Sequence, residues 1–254
     1  LNQTFYETHV QEIPNRLQEI LDAYLPGGSH PELSRFPIRM RLLRRRFGQG
    51  LTSLRRVFLV GMGSSYHVAG MAKSLIQELV PELPVVVQSP VEIENVGKSI
   101  NADRDLVVLI SWSGTTSDMV QLAKDVRNHH ITAVGITEKP FADLGLVLRK
   151  SAGVIPAMSG EEVTVSGVKS LLCMLMGLEL FALALLSELG YGRKAMAVGR
   201  RLHDVPRIIK EMLQESTYRR WGREQSAAYK NSLCHVVMDA QHSLGSGTEI
   251  TLKL

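Results

Sequence analysis

Cysteine is scarce in this chain, two in 254 residues, with Cys173 in an apolar run and Cys234 beside His235. That is neither a disulfide framework nor a metal-ligand spacing. A reducing, cytoplasmic setting is therefore the expectation. The eight histidines are scattered, and none pairs with another at ligand spacing in a helix or loop. No metal and no cofactor is expected. Low-complexity tracts are absent, and at 44% hydrophobic and 21% charged the composition is that of a globular domain. The opening LNQTFYETH lacks the basic, apolar and small-residue order of a signal peptide. The longest apolar run, residues 171–186, is sixteen positions long and contains Glu179, which is short for a bilayer span. It reads as a buried core helix, and no membrane contact is expected.

Negative charge is the lesser of the two signs. The formal balance is +4, and Arg35, Arg39, Arg41, Arg44, Arg45 and Arg46 crowd into one stretch. A clustered basic face is the footprint of nucleic-acid binding. Here Leu42, Leu43 and Phe47 interleave as one face of a helix, without an aromatic platform or a nucleic-acid motif. A solvated helix face, or a surface that meets a partner's acidic patch, is the preferred reading. Nucleic acid is not an expected partner.

What the chain does have is an alternation of short apolar runs with helical stretches. Residues 2–25 carry apolar positions at helical spacing, interrupted at Pro14, and such a leader often packs on a neighbouring subunit. The arginine-rich helix runs to about Phe47. Strands are expected at 57–60, 85–88, 106–111, 132–137 and 153–157, and a long helix from 163 to about 189, closed by Gly190. Two further helices are read within 195–230. Strand and helix alternating without a tight hairpin argue a parallel, doubly wound sheet.

Residues 105–118 stand out within that pattern. An aliphatic strand buried on both faces runs into Ser111, Ser113, Thr115 and Thr116, with Gly114 among them, and then into a helix start. The free N–H groups and positive dipole end of that helix point where the hydroxyls do. The turn is either an anion site or a Ser/Thr-rich helix cap. A flavodoxin-like strand order 2-1-3-4-5 sets it beside the turn Gly61-Met62-Gly63-Ser64-Ser65, at the carboxyl ends of the first and third strands. Those two are the strand-to-helix turns richest in glycine and hydroxyl groups.

Together these residues resemble the sugar isomerase (SIS) domain family, most closely the isomerase half of glucosamine-6-phosphate synthase and related deglycases. Residues 61–66 resemble the family's G-x-G-[ST]-S-[YH] loop, and residues 111–116 its S-x-S-G-x-T phosphate loop. Residues 161–169 resemble the E-[IV]-x-V-A-S-T-K entry to the long helix. Glu249 and Lys253 resemble the E-x-x-x-K of a second SIS half. The resemblance implies a five-stranded parallel SIS domain over 51–192, preceded by a helical arm over 1–50. Connecting helices over 193–232 and the start of a second SIS domain over 233–254 follow.

It also implies a cytoplasmic, homodimeric, cofactor-free protein that binds a sugar phosphate such as fructose 6-phosphate or glucosamine 6-phosphate. The expected function is a ketose/aldose isomerase, deaminase or deglycase of amino-sugar phosphate metabolism, with a catalytically silent sugar-phosphate sensor as the alternative. On the family pattern Ser64, Ser65, Ser111, Trp112, Ser113 and Thr116 hold substrate and phosphate, with Val165 and Gly167 lining the sugar. Lys253 opens the ring or forms a Schiff base, and Glu249 accompanies it at i−4. Trp112 stands where the synthases have glutamine, Thr115 where they have glutamate, and Gly167 where they have serine. Near the phosphate loops, Glu161 and Glu162 are the local candidates for a base.

Overall fold

In the computed structural model, the structure describes residues 5–163 and 167–216, together with Arg220 and Glu224. Two helices come first, α1 (Phe5–Tyr24) and α2 (Met40–Phe47). The alternating part follows as β1 (Arg56–Gly61), α3 (Ser64–Leu79), β2 (Val85–Gln88), a single turn α4 (Val96–Ser99), β3 (Asp105–Ile110) and α5 (Ser117–Asn128). It continues with β4 (Thr132–Thr137), α6 (Asp143–Leu148) and β5 (Gly153–Pro156). Helices α7 (Val168–Leu186), α8 (Gly192–Leu202) and α9 (Val205–Gln214) complete the described part.

The strands form one sheet in the order β2-β1-β3-β4-β5, every neighbouring pair parallel. This is the doubly wound order expected from the sequence. Every residue of β3 and β4 is buried, as unbroken apolar runs covered on both faces require. Alternate residues feed opposite sides. Leu106, Val108 and Ile110 join a core with α1, α3 and α7, while Val107 and Leu109 join a second core with α5 and α6. The strand period of two thus divides one apolar run between two layers.

Helix α1 departs from expectation at Pro14, which it runs through without a break. Its apolar face packs on α7 and α9 of its own chain. Ile13, Leu17, Ile20 and Leu21 are at most 3% exposed. At roughly 1.5–3 kcal/mol for each buried aliphatic side chain, they outweigh the ~3 kcal/mol cost of a proline inside a helix. The arginine-rich segment is less helical than its composition suggests, because α2 begins only at Met40. Likewise α7 begins at Val168, five residues later than expected, and Gly190 turns the chain with φ 95° before α8. By composition α7 is apolar enough to cross a bilayer, but 78% of its most apolar window is buried inside the fold. It is the central helix of the first core.

Glu179 is the exception on α7. Its carboxyl has no ion pair or hydrogen bond among the described residues, and burial pushes it up to about 7 from the usual 4.5. A carboxyl raised by folding favours the protonated form. Its contribution is therefore full below pH 4.5 and lost as pH rises through about 7. We expect Glu179→Gln to stabilise the chain at pH 8 by up to roughly 3 kcal/mol, at 1.36 kcal/mol per pKa unit, and to be neutral near pH 4.5. Urea unfolding at the two pH values measures this, and an equal effect at both would contradict it.

Candidate functional site

The register of β1 and β3 sets Gly61 opposite Ile110, so the turns that follow the two strands leave the sheet side by side. From there α3 packs on one face of the sheet and α5 on the other. The chain therefore parts at this point and opens a crevice between the two helix N-termini. Met62, Ser65, Ser111, Trp112, Ser113 and Thr116 line a pocket of about 200 Å³ there.

Two glycines allow the close approach. A Cβ on Gly61 would lie 2.6 Å from the backbone of Ser65, so only glycine lets α3 start directly beneath the strand. Gly114 has φ 65°, and a Cβ there would meet Thr137 Oγ1 at 2.9 Å. The left-handed turn this permits folds the hydroxyls back over the start of α5.

The hydroxyl geometry bears on the choice between a cap and an anion site. Thr116 is the N-cap of α5, yet its side chain makes no capping hydrogen bond. Its Oγ1 faces Ser111 Oγ at 3.3 Å instead. Val120 N donates to Thr116 O, so the N–H groups of the three residues before it have no helical acceptor. Ser111 Oγ accepts from Gly114 N at 3.3 Å, and Ser113 Oγ accepts from Thr115 N at 3.3 Å and from Thr115 Oγ1 at 3.2 Å. Each serine oxygen is thus fixed as an acceptor while its own proton is left to donate. Hydroxyl donors and an uncapped helix N-terminus converge on one point, which is the chemistry of an anion cradle.

The turn is anchored from below. Trp112 O accepts from Glu138 N at 3.1 Å and from Thr137 Oγ1 at 3.2 Å, and Leu144 N donates to Gly114 O at 2.9 Å. The Trp112 indole, a wall of the pocket, donates through Nε1 to Ser159 Oγ at 2.9 Å. Ser159 in turn donates to Glu138 Oε2, from N at 2.8 Å and from Oγ at 2.9 Å, and Gly160 N donates to Glu138 Oε1 at 3.0 Å. Lys139 Nζ stands 5.6 Å from the centre of the indole ring, a cation–π distance. Neither Glu138 nor Ser159 stands out in the sequence. The one available signal is position, since Glu138 follows directly on β4 at the carboxyl end of the sheet.

The structure brings Ser65, Ser111, Trp112, Ser113 and Thr116 together. Ser64 opens α3 beside them without lining the pocket. Gly167 is the left-handed N-cap of α7, with φ 43°, and also lies outside the lining. Val165, Glu249 and Lys253 fall outside the described residues. The expectation that Glu162 could act as a base is corrected. Its carboxylate accepts from Lys169 N at 3.0 Å and Ser170 N at 2.8 Å, so it caps α7. Among the described residues, no titratable base lines the pocket. Cys173 is buried, and burial pushes its thiol up to about 12, which makes it inert as a nucleophile. A larger groove of about 380 Å³, lined by Asn95, Asp118, Asp125 and His129 among others, lies against α5 but has no converging hydroxyl donors.

Fold and turns together define a doubly wound α/β domain with an anion cradle at its topological switch point. The SIS domain family model matches residues 50–184, which is more than half of the chain. The chain belongs to the SIS domain family. It is 26% identical over 160 residues to glutamine-fructose-6-phosphate aminotransferase (isomerizing) 2 of Mus musculus, covering 63% of this chain and 23% of that protein. It is 31% identical over 127 residues to the corresponding enzyme of Pyrococcus horikoshii, covering 50% of this chain and 21% of that one. The chain thus spans less than a quarter of the length of these curated relatives.

Among solved structures, the C-terminal domain of glucosamine-fructose-6-phosphate aminotransferase from Francisella tularensis superposes with a TM-score of 0.83 at 19% identity, over 99% of this chain and 67% of that one. Tagatose-6-phosphate ketose/aldose isomerase from Escherichia coli superposes with a TM-score of 0.64 at 12% identity, over 98% of this chain and 63% of that one. These structural likenesses establish the fold.

Proposed function

We propose that the cradle of Ser65, Ser111, Ser113 and Thr116 holds the phosphate of a sugar phosphate, with fructose 6-phosphate or glucosamine 6-phosphate as the leading candidates. The observation that carries this reading is the unused capping hydroxyl of Thr116, which turns toward Ser111 and leaves the α5 N-terminus open. Trp112 forms the wall against which the sugar lies.

In an isomerase of this class the phosphate is an anchor, and the binding energy it supplies orients a reaction several atoms away. Moving the carbonyl from C2 to C1 removes a proton from C1 and returns one to C2, so a base must serve both carbons. The described pocket offers binding without that base. Lys253 is assigned to ring opening or to the carbonyl carbon, with Glu249 beside it, and Val165 and Gly167 to the sugar's edge. The SIS family and the aminotransferase relatives support a sugar-phosphate isomerase, deaminase or deglycase, and we propose that it acts as a cytoplasmic homodimer.

The test is thermal. A ligand at a hundred times its Kd adds about 2.7 kcal/mol, which for a chain of this size raises Tm by roughly 5–10 °C. We expect fructose 6-phosphate or glucosamine 6-phosphate to produce such a rise and Ser113→Ala with Thr116→Ala to remove it. A rise that survives the double substitution, or no rise with any sugar phosphate, refutes the reading.

A further inference from the structure

The other end of β4 carries a second concavity that the cradle does not account for. Arg46, Arg127, His130, Thr132, Lys150 and Ser151 are among the residues around a cavity of about 180 Å³, and none of the described residues that line it is acidic. Arg46 is held in place there by Asp103 Oδ1 at 2.7 Å and by the carbonyl of His130 at 3.0 Å. Arg127 and Lys150 differ from it, since their side chains make no ion pair and no hydrogen bond among the described residues. Thr132 is only 3% exposed, and its hydroxyl likewise has no hydrogen-bond partner among them. Ser151 Oγ accepts from Ala133 N at 2.9 Å, which leaves its proton free to donate.

The ordinary use of cations in this place is to cap helices, because α5 and α6 both end here. Backbone groups already do that. His129 N, His130 N and Ile131 N donate to the carbonyls of Asp125, Arg127 and Val126 at 3.0 Å each. At the end of α6, Arg149 N, Lys150 N and Ser151 N donate to the carbonyls of Gly145, Val147 and Leu148. The Arg127 and Lys150 side chains are therefore surplus to the helix ends.

A buried donor without an acceptor costs about 1–3 kcal/mol, and two cations without a partner among the described residues line the same cavity. A small dianion supplies an acceptor to the first and a counter-charge to the others. The nearby start of α2 strengthens the field, since Arg39, Arg41 and Arg45 line an adjoining groove and their side chains have no ion pair or hydrogen bond among the described residues. The size of the cavity selects against a polymer or a whole nucleotide and suits a phosphate group with a few attached atoms.

We infer that this cavity is a second anion site, specific for inorganic phosphate or a small phosphate monoester, formed by Arg127, Lys150, Arg46, Thr132 and Ser151. It is distinct from the cradle. Thr132 opens β4 and Thr137 closes it against Trp112, so at about 3.3 Å per residue the two sites lie roughly 16 Å apart.

Titration of the chain with inorganic phosphate, and then with glycerol phosphate, followed by calorimetry and by amide NMR shifts, tests the inference. Saturable binding is expected, with shifts at the Thr132 and Ser151 amides. Arg127→Ala with Lys150→Ala weakens it about a hundredfold, as the loss of two charge-assisted hydrogen bonds implies, while Arg127→Lys with Lys150→Arg retains it. Ser113→Ala with Thr116→Ala leaves this site unchanged, so failure of the cradle and failure of this site are read separately. Unmoved Thr132 and Ser151 amides, a response that never saturates, or unchanged affinity after the double alanine substitution would each overturn it. The amide readout uses the unsubstituted chain and does not depend on how the variants fold.

Discussion

Replacing Lys169 by methionine should lower Tm by roughly 6–12 °C, corresponding to about 3 kcal/mol in a chain of this length. Lys169 is 1% exposed. Its ammonium donates to Glu12 Oε2 at 2.6 Å, to the carbonyl of Glu161 at 2.8 Å and to His9 Nδ1 at 3.1 Å. All three of its protons are thus in use, and they tie α1 to the segment that leads into α7. A neutral imidazole accepts at one nitrogen only. His9 therefore cannot accept at the same time from Lys169 and, at Nε2 and 3.3 Å, from Val163 N, and the shorter, charged contact prevails.

Removing one member of a buried pair costs about 3–5 kcal/mol. The lower part of that range applies here, because the Glu12 side chain is 40% exposed and can turn to water. The pH dependence gives a second reading. The hydrogen bond from Lys169 holds the Glu12 carboxyl below its usual value, so this contribution is present above pH 4.5 and lost as pH falls through the lowered value. Lys169→Met should therefore lose more at pH 7 than at the acid end, and a Tm loss independent of pH would show that packing alone was removed. Chemical denaturation across pH 3–7 separates the two.

The elements that were legible in the sequence are those whose signal is local. β4 falls where its aliphatic run places it, because a strand buried on both faces needs no partner pattern to be seen, and β2, an edge strand with only Val85 buried, is betrayed by its run of three valines. The meeting of the two turns was legible because a doubly wound order sets the ends of the first and third strands side by side, whereas the hydroxyl-rich turn alone read equally well as a helix cap. Pro14 was misread because its local penalty is plain in sequence, while the packing of Ile13, Leu17, Ile20 and Leu21 on α7 becomes visible only once the chain is folded. Glu162 was misread for the converse reason. A carboxylate near a phosphate loop resembles a base until the backbone N–H groups of Lys169 and Ser170 are seen to occupy both its oxygens. Glu138 and Ser159 are 21 positions apart and carry no motif, so their pairing is a product of topology. β4 delivers one and the segment after β5 the other, to the same end of the sheet.

That pairing supports the second large effect. Glu138→Ala should destabilise the chain by about 2–4 kcal/mol and weaken sugar-phosphate binding at least tenfold. The carboxylate takes two backbone N–H groups and one hydroxyl, and Ser159 is fully buried. Orphaned donors of this kind cost about 1–3 kcal/mol apiece, partly recovered because the Ser159 hydroxyl can still reach Gly160 O at 3.2 Å. The loss of binding follows through Trp112. Its indole N–H is fixed by Ser159 Oγ, and without Glu138 the Ser159 and Gly160 N–H groups lose their acceptor, so the segment that holds the indole loosens and the pocket wall with it beside Ser111 and Ser113.

Trp112 and Trp221 are the only tryptophans, so fluorescence in a Trp221→Phe background reports on this indole alone. Glu138→Ala should shift its emission to the red and raise its quenching by iodide, and Glu138→Gln, which keeps one acceptor oxygen, should fall between. If Glu138 only stabilised the fold, binding measured well below Tm would be unchanged and the emission would not move. A shift in emission that tracks the loss of affinity across the two variants would place Glu138 as a positioning residue for the cradle.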